Sequence, residues 1–292
     1  MKLPREARIS FEEIRKLTIT ALFSDDLLYE QLVLKGGNVM SLVLGISPRA
    51  SLDLDFSLEK DFENLPDIQN RMERALADRF ASVGFVPLDV KLAPRPSNQS
   101  EESVSRWGGY RLEFKLIDEQ GYRSAGSEKE RLRREALVVG PKQMRVFTVD
   151  FSKWEYTAGK VRADLDDYAI YVYTPAMIAL EKVRAICQQM DEYAATGKTK
   201  CPRARDFFDI YTIVTRTGFR FDSAETPGLT KLIFAAKEVP VSLLGKIKDQ
   251  REFHRGDWPS VRGAVAQPLE EFDFYFEFVL REMEPLHALW ME

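Results

Sequence analysis

The spacing of apolar residues along this chain changes from mixed to purely helical near residue 160. Before that point, segments that alternate with a period of two, as strands do, are interleaved with segments of helical period. The pattern predicts helices at 11–33, 66–83 and 129–136 and strands at 51–58, 85–92, 110–118 and 145–151. From Thr174 onward it predicts only helices, at 175–195, 202–216, 225–237, 242–252 and 267–283. The sequence therefore predicts an α+β fold, with an α+β domain at 1–160 and an all-helical domain at 161–292.

The predicted first helix has recognisable signals at both ends. Ser10 can cap its N-terminus, with Glu13 as the reciprocal partner of a capping box. Gly36 and Gly37 then end it, and we expect Asn38 to cap a short second helix with the sequence VMSLVLGI. Because that second helix is apolar on nearly every side, it is predicted to be buried.

The strand predicted at 51–58, SLDLDFSL, carries carboxylates where strands seldom have them. Its alternation places the apolar residues on one face and the polar ones on the other, namely Ser51, Asp53, Asp55 and Ser57. Residues two apart on one strand face lie roughly 7 Å apart at Cα, so the tips of Asp53 and Asp55 can meet on a cation. Mg²⁺, or Mn²⁺ in its place, suits such oxygen ligands. The alternative is a strand whose outer face is merely solvated.

The glycine pair that precedes this strand offers a second element of chemistry. Gly36 and Gly37 expose backbone N–H groups at the start of a helix, where the helix dipole also favours an anion. A C-cap for the first helix is the alternative explanation, and it accounts for one glycine better than for two. A phosphate-binding turn followed by a metal-binding strand is a more specific combination than either part alone.

Composition narrows the function classes further. With 292 residues and 45% hydrophobic content, the chain has the composition of a globular protein. The N-terminal segment lacks the apolar core of a signal peptide, and no apolar run approaches the roughly 20 residues that cross a bilayer, so we expect a cytoplasmic protein without membrane contact. The net charge of −4 gives no general attraction for nucleic acid, which leaves local basic patches as the only candidates.

Cysteine and histidine are too few to suggest a zinc site, a disulfide framework or a catalytic triad. Cys187 and Cys201 form no CxxC motif, and we expect both to be ordinary buried thiols. His254 and His287 lie near no motif of a triad or of a metalloprotease helix. Any catalysis must therefore rely on carboxylates, lysine and a metal ion.

Three motifs in matching order resemble one known family. The segment LKGGNVMSLVLGISPRASLDLDF is similar to the Lys-Gly-Gly-Thr/Asn and Arg-x-Ser-x-Asp-x-Asp-Phe signature of the AbiEii-type nucleotidyltransferase toxins. TPAMIALEKVRAI resembles the lysine helix of that family, and RARDFFDIYTIV resembles its Arg-Asp-x-x-Asp helix. The family includes the MenT toxins and belongs to the DNA polymerase β-like nucleotidyltransferase superfamily. The resemblance covers residues 35–214.

The resemblance implies a polymerase β-like nucleotidyltransferase domain with a mixed sheet, followed by a helical domain that contributes to the active-site cleft. It also implies a Mg²⁺-bound NTP, transfer of NMP to an acceptor, which in MenT toxins is the 3′ end of tRNA, and a cognate antitoxin. The catalytic residues that it implies are Ser51, Asp53, Asp55, Lys182 and Asp206. The nucleotide-binding residues that it implies are Lys35, Gly36, Gly37, Asn38, Arg49 and Lys182. Many relatives have Thr or Ser where this chain has Asn38.

A two-metal site in the superfamily usually has a third carboxylate beside the Asp53 and Asp55 pair. Asp150, at the end of the strand RVFTVDF, is the candidate for this third metal ligand. The alternative is an aspartate that simply starts a turn at a strand end.

The residues themselves leave the roles of the helical motifs open. Lys182 lies outside the core stripe of its helix, which consists of Ala176, Leu180, Val183, Cys187 and Met190. A lysine lying over an apolar ridge is the ordinary explanation, and the motif favours a lysine that points at a triphosphate. Asp206 is expected to orient Lys182 or to assist deprotonation of the acceptor, whereas Asp209 suits a surface ion pair with Arg205.

Three groups of basic residues are candidates for binding the RNA backbone. They are Arg131, Arg133 and Arg134; Lys142 and Arg145; and Arg203 and Arg205. A solvated basic face is an equally good explanation for any one of them. Two other functions also remain open, a transferase that modifies a small molecule or a protein, and a catalytically silent nucleotide-binding or interaction module.

Overall fold

The computed structural model describes residues 9–47, 53–96, 108–138, 144–193 and 200–291. Within the described residues the strands form a seven-stranded sheet with the strand order β3-β4-β5-β2-β1-β7-β6. In chain order the strands are β1 (Val33–Leu34), β2 (Leu54–Ser57), β3 (Phe85–Arg95), β4 (Gly109–Asp118), β5 (Phe147–Ser152), β6 (Val161–Leu165) and β7 (Tyr168–Val172). Strands β2 and β5 are parallel, whereas β1/β2, β3/β4 and β4/β5 are antiparallel, so the sheet is mixed. This confirms the predicted α+β class.

Helices lie between the strands along the chain, and from Pro175 onward the described elements are all helical. The α-helices are α1 (Phe11–Phe23), α2 (Asp26–Gln31), α3 (Gly36–Asn38), α4 (Leu65–Ala81), α5 (Glu119–Ala125), α6 (Lys129–Glu135), α7 (Pro175–Cys187), α8 (Ala204–Thr217), α9 (Thr226–Ala235), α10 (Arg251–Arg255), α11 (Trp258–Ala264), α12 (Phe272–Met283) and α13 (His287–Trp290). A π-helical stretch, Val39–Val43, continues α3, and 3₁₀ helices occupy Val241–Gln250 and Glu284–Leu286. Within the described ranges no helix is both long and apolar enough to span a bilayer.

The central strands bury one face and leave the other polar, as their alternation predicts. Leu54 and Phe56 of β2 are fully buried, and the ring of Phe56 stacks on that of Phe151 in β5 at 5.4 Å between centroids. Phe23 of α1 packs against Phe56 from the same side, with ring centroids 6.0 Å apart. A buried side chain of this size contributes roughly 1.5–3 kcal/mol, so this aromatic layer fixes which residues face the opposite side.

Contacts divide the chain into two compact units, each built from separate segments. The first unit consists of the described residues within Met1–Leu34, Asp53–Lys153 and Arg162–Tyr171. The second consists of those within Lys35–Leu52, Trp154–Val161 and Val172–Glu292. The predicted boundary between residues 160 and 161 stays a prediction.

The N-terminal region differs from the prediction in two respects. The capping box of Ser10 and Glu13 is confirmed, but the helix predicted at 11–33 is interrupted after Phe23. Asp25 accepts hydrogen bonds from the N–H groups of Leu27 and Leu28 and so starts a new helix, α2. Asn38 was expected to cap a second helix, but α3 already begins at Gly36, so Asn38 lies inside the turn and is buried.

Burial of the segment VMSLVLGI is confirmed only in part. Val39 and Met40 are buried, whereas the remainder is half-buried or exposed.

The later part of the chain brings further corrections. The β6–β7 hairpin was missed because its turn, Asp166 and Asp167 with φ of 47° and 66°, lacks the glycine that usually marks such turns. The helix predicted at 242–252 is largely 3₁₀, and the helix predicted at 175–195 ends at Cys187. Cys187 is buried as expected, but Cys201 is exposed.

Candidate active site

The first unit aligns charged side chains across three neighbouring strands. Asp55 of β2 is the register partner of Asp150 in β5, and Asp150 is in turn the partner of Arg111 in β4. Adjacent strands lie about 5 Å apart and register partners point to the same face, so these three side chains form a row. Asp53 lies one residue before β2 and is exposed, whereas Asp55 and Asp150 are half-buried.

Arg111 holds Asp150 with both carboxylate oxygens engaged. Its Nε donates to Oδ1 at 2.7 Å and its Nη2 donates to Oδ2 at 2.8 Å, the bidentate geometry that arginine and carboxylate favour. The hydrogen bond to Asp150 raises the pKa of Arg111, and the charge of Asp53 adds to this shift. Sequence reasoning missed this arginine, although its place on the polar face of YRLEFKLID was a usable signal.

The donor set of this row fits a hard divalent cation. With Asp53 beside the row, three carboxylates and one guanidinium carry a formal charge of −2, which a Mg²⁺ ion balances. Among the described residues, no three or more Asp, Glu, His or Cys side chains converge as a ready-made metal cage. Magnesium sites that act on nucleotides commonly use one or two carboxylates and complete their shell with phosphate and water, and Asp53 and Asp55 can supply those two. A metal-ligand role for Asp150 stays a prediction, since the structure pairs it with Arg111.

In the second unit, Lys182 lies in a buried contact with two carboxylates. Thr174 caps α7 by accepting a hydrogen bond from the N–H of Met177, and Lys182 follows two turns later. Its Nζ donates to Asp206 at 2.9 Å and to Asp209 at 2.7 Å, both in the first turns of α8. The lysine side chain is 12% exposed, and those of Asp206 and Asp209 are 8% and 1% exposed.

The charges of this cluster stabilise one another. Burial opposes ionisation of Lys182, yet the two carboxylates hold its pKa above the usual range. Burial likewise opposes ionisation of Asp206, but Lys182 and then Arg203 hold its pKa below the usual range. Asp209 was expected to form a surface ion pair with Arg205. It is instead fully buried against Lys182.

A neutral histidine anchors the start of α8, which carries both carboxylates. The ring of His254 is fully buried, and its Nδ1 accepts a hydrogen bond from the backbone N–H of Arg203 at 3.0 Å. Burial lowers the pKa of His254 to about 4, so its ring remains neutral at physiological pH. Arg203 also reaches Asp206 with its guanidinium, 3.5 Å from Oδ2.

The glycine turn begins with a backbone conformation that only glycine adopts easily. Gly36 has a φ of 67°, in the left-handed region, and the turn continues through Gly37 into buried Asn38. Lys35, immediately before the turn, is 8% exposed and donates from Nζ to Glu181 at 2.7 Å and to Glu155 at 3.4 Å.

Two further cations share this buried cluster. Arg184 donates to Glu155 at 3.2 Å and to Glu181 at 3.4 Å, and Lys237 lies 3.5 Å from Glu155. Although burial opposes its ionisation, Lys35, Arg184 and Lys237 hold the pKa of Glu155 at about 2. Sequence reasoning placed Lys35 at a nucleotide and did not find the other members of this cluster.

Several residues predicted for the site or for RNA binding either lie outside the described residues or already have partners within the protein. Arg49, Ser51 and Lys142 lie outside the described residues. Arg131 pairs with Glu135, and Arg145 donates to the carbonyl oxygen of Ala136.

The rest of the basic candidates differ in their contacts. Arg133 donates to Asp89 and Glu130, so much of its charge is already compensated. Arg134 and Arg205 are exposed. The RNA-binding role of these groups stays a prediction.

Comparison with known proteins identifies the class. A family model for the nucleotidyl transferase AbiEii toxin of type IV toxin–antitoxin systems matches residues 19–278. The chain belongs to the AbiEii nucleotidyltransferase toxin family, which confirms the family predicted from the three motifs. It is therefore a nucleotidyltransferase with an NTP as substrate and an antitoxin as its counterpart.

Solved structures of similar proteins share little sequence with this chain. JHP933 from Helicobacter pylori is 13% identical, with a TM-score of 0.47 over 98% of this chain and 97% of that one. A Helicobacter pylori protein described as a nucleotidyltransferase is 13% identical, with a TM-score of 0.49 over 94% and 96%. An antigenic nucleotidyltransferase-like protein from Paracoccidioides brasiliensis is 15% identical, with a TM-score of 0.35 over 81% and 92%. Among curated proteins, none matches the sequence significantly.

Proposed function

We propose that this enzyme transfers NMP from an NTP to the 3′ end of tRNA in a Mg²⁺-dependent reaction, and that it does so in the cytoplasm as the toxin of its pair. The observation that carries the proposal is the row of Asp55, Asp150 and Arg111 with Asp53 beside it. Such a row, in a member of a nucleotidyltransferase family, has the oxygen donors and the negative charge that bind the divalent cation of a cation–triphosphate complex.

The reaction breaks one bond and forms one. The oxygen of the acceptor 3′-hydroxyl attacks the α-phosphorus, the bond from this phosphorus to the β-phosphate oxygen breaks, and pyrophosphate departs with its electron pair. The hydroxyl proton passes to solvent. Mg²⁺, or Mn²⁺ in its place, would be held by Asp53 and Asp55 and would supply charge neutralisation at the phosphates. In nucleotidyl transfer, the protein contributes mainly by positioning the reactants and by stabilising the charge on the phosphates.

The protein groups assigned to the nucleotide lie in the second unit. The backbone N–H groups of Gly36 and Gly37 are suited to phosphate oxygens, and Lys182 adds a positive charge. Of the two roles considered for Asp206, its contacts favour orientation of Lys182, because Lys182 and Arg203 already engage its two oxygens. No protein nucleophile is required, in keeping with a chain that has only two histidines.

The test is incorporation of α-labelled NTP into bulk tRNA with Mg²⁺, using wild type, Asp53→Asn and Asp78→Asn. Asp78 is an exposed acid on α4, so its variant is a matched control for the loss of one charge. We expect Asp53→Asn to lose labelling while its melting temperature stays near that of wild type, and Asp78→Asn to retain labelling. Labelling by a folded Asp53→Asn variant would remove the assigned role.

The acceptor is tested in the same assay. Binding of tRNA through phosphate contacts weakens steeply with salt, so labelling at limiting tRNA should fall between low and physiological ionic strength. A wild-type enzyme that labels no tRNA, or labels it equally at all salt concentrations, would favour a small-molecule or protein acceptor. An enzyme that binds NTP but transfers to no acceptor would favour the silent module.

A further inference from the structure

The lysine before the glycine turn is held within the protein by two acids on different segments. Its Nζ lies 2.7 Å from Glu181 and 3.4 Å from Glu155, and its side chain is only 9% exposed. Glu181 is the residue next to Lys182 on α7, whereas Glu155 follows the central strand β5. The ammonium group therefore joins the start of the glycine turn to α7, the helix that carries Lys182.

The buried contacts of Lys35 favour a structural use of this lysine. Lys35, Arg184 and Lys237 face Glu155 and Glu181, which is three cations against two carboxylates. Withdrawing Lys35 toward a ligand would leave Glu181 with Arg184 at 3.4 Å in place of Lys35 at 2.7 Å, and breaking a buried ion pair costs several kcal/mol. Burial lowers the pKa of Lys237, whereas for Arg184 the effect of burial is outweighed by Glu155 and Glu181, which raise its pKa, so the cluster stabilises the charge of Lys237 less than that of Arg184.

We infer that Lys35 is a positioning residue, and that Glu181 and Glu155 position it. Its two ion pairs fix the Lys35–Gly36 backbone relative to α7, so the glycine N–H groups and Lys182 keep a constant geometry for the triphosphate. The inference rests on the proposed binding of NTP by the Gly36–Gly37 turn. It replaces the direct nucleotide contact that the sequence motif suggested for Lys35.

The two roles of Lys35 make opposite predictions for its partner. If Lys35 bound the nucleotide directly, Glu181→Gln would release its ammonium group, and NTP affinity would be unchanged or higher. If Lys35 positions the turn, the same change loosens it, and affinity falls. Glu181 is less deeply buried than Glu155, with a side chain 15% exposed, so its amide variant is the less disruptive probe.

The experiment is a double-mutant cycle of Lys35→Met and Glu181→Gln, with the Kd of an NTP and Mg²⁺ measured by calorimetry. We expect each single variant to raise the Kd about ten-fold or more, as loss of a supporting contact does. The double variant should bind no more weakly than the weaker single variant, because both changes break the same link. Independent effects that multiply in the double variant would overturn the inference.

Lys237→Met is the matched control. It removes another buried lysine that contacts Glu155, but it leaves two cations facing two carboxylates and keeps the link from Lys35 to Glu181 intact. Its Kd should stay within about two-fold of wild type, since both ion pairs of Lys35 are kept. A ten-fold loss in this control would instead indicate that any change in the cluster disturbs binding, which would overturn the specific role of Lys35.

Thermal melting accompanies every binding measurement, and Glu181→Gln decides the question even where Lys35→Met does not fold. Unchanged or tighter NTP binding by Glu181→Gln, with wild type binding normally, would overturn the inference alone. Absence of NTP binding by the wild type would overturn the proposed function, and this inference with it.

Discussion

Replacing Lys182 with methionine should destabilise the protein strongly at neutral pH and much less in mild acid. Methionine keeps the length and the apolar stem of the side chain but removes the charge that contacts Asp206 at 2.9 Å and Asp209 at 2.7 Å. The two buried carboxylates then lose the ammonium group that they share, while Arg203 still contacts Asp206 at 3.5 Å. Breaking a buried ion pair in this way costs about 3–5 kcal/mol.

A loss of this size is easy to measure. At about 2–4 °C per kcal/mol for a domain of this size, the melting temperature of Lys182→Met should fall by about 10 °C at pH 8. Lys248→Met, at an exposed position, is the control and should change stability by no more than about 0.5 kcal/mol. The double variant Lys182→Met with Asp209→Asn should recover part of the loss, because it also removes one uncompensated charge.

The dependence on pH separates electrostatics from lost packing. In the wild type the folded pKa of Asp206 is below the unfolded value near 4, so its contribution to stability is complete above about pH 4 and is lost as pH falls through the folded pKa. In Lys182→Met the two facing carboxylates favour uptake of a proton, which raises a folded pKa above the unfolded value. Stability therefore increases as pH falls from 8, by up to about 1.4 kcal/mol for each pH unit below the raised pKa.

The assay is thermal melting of wild type, Lys182→Met and Lys248→Met at pH 8 and pH 5.5. We expect the gap between wild type and Lys182→Met to narrow by several degrees at pH 5.5. If Lys182→Met has the same melting temperature as wild type at pH 8, the buried contact is refuted. A gap that is equally large at both pH values would indicate lost packing, and the electrostatic reasoning would be wrong.

Two further predictions concern the sheet of the first unit. Arg111→Met should release Asp150 to join Asp53 and Asp55 as a possible cation ligand, so Mg²⁺ should raise the melting temperature of this variant more than that of wild type. An equal shift in both would count against Asp150 as a potential ligand. Gly109→Ala should cost about 3 kcal/mol in unfolding experiments, because its Cβ would lie 1.7 Å from the carbonyl oxygen of Phe151, whereas Gly263→Ala on α11 meets nothing within 4 Å and should be neutral or stabilising. Similar melting of these two alanine variants would contradict the close approach of β4 to β5.

Local signals in the sequence predicted most elements of the fold. The capping box of Ser10 and Glu13 and the alternation in β4 and β5 depend on residues within a few positions of one another, and both are confirmed. The break between α1 and α2 was missed because it comes from the side chain of Asp25, without a glycine or proline to mark it. The β6–β7 hairpin was missed for a similar reason, since Asp166 and Asp167 adopt left-handed backbone angles at a turn that has no glycine to indicate them.

The contacts of the candidate site depend on pairings that no local pattern encodes. Asp150 could be proposed as a companion of Asp53 and Asp55 only through the resemblance to a family. Its position beside Asp55 follows from the parallel pairing of β2 with β5, and its bond to Arg111 follows from the antiparallel pairing with β4. Strand order is a long-range property, so the arginine that compensates this carboxylate became evident only in the structure.

Lys182 shows how a correct pattern can still give an incomplete account of a residue. Helical spacing placed it outside the core stripe, between Ile178 and Ile186, and both isoleucines are fully buried. A lysine in such surroundings needs partners of opposite charge, because an isolated buried ammonium is costly. The resemblance to the family gave one partner, Asp206, and the i,i+4 spacing from Arg205 assigned Asp209 to a surface ion pair. The burial of Asp209 instead gives Lys182 two acids. Both acids raise the pKa of Lys182 and so keep it charged despite its burial. A permanently charged lysine is the state that a triphosphate-binding role requires.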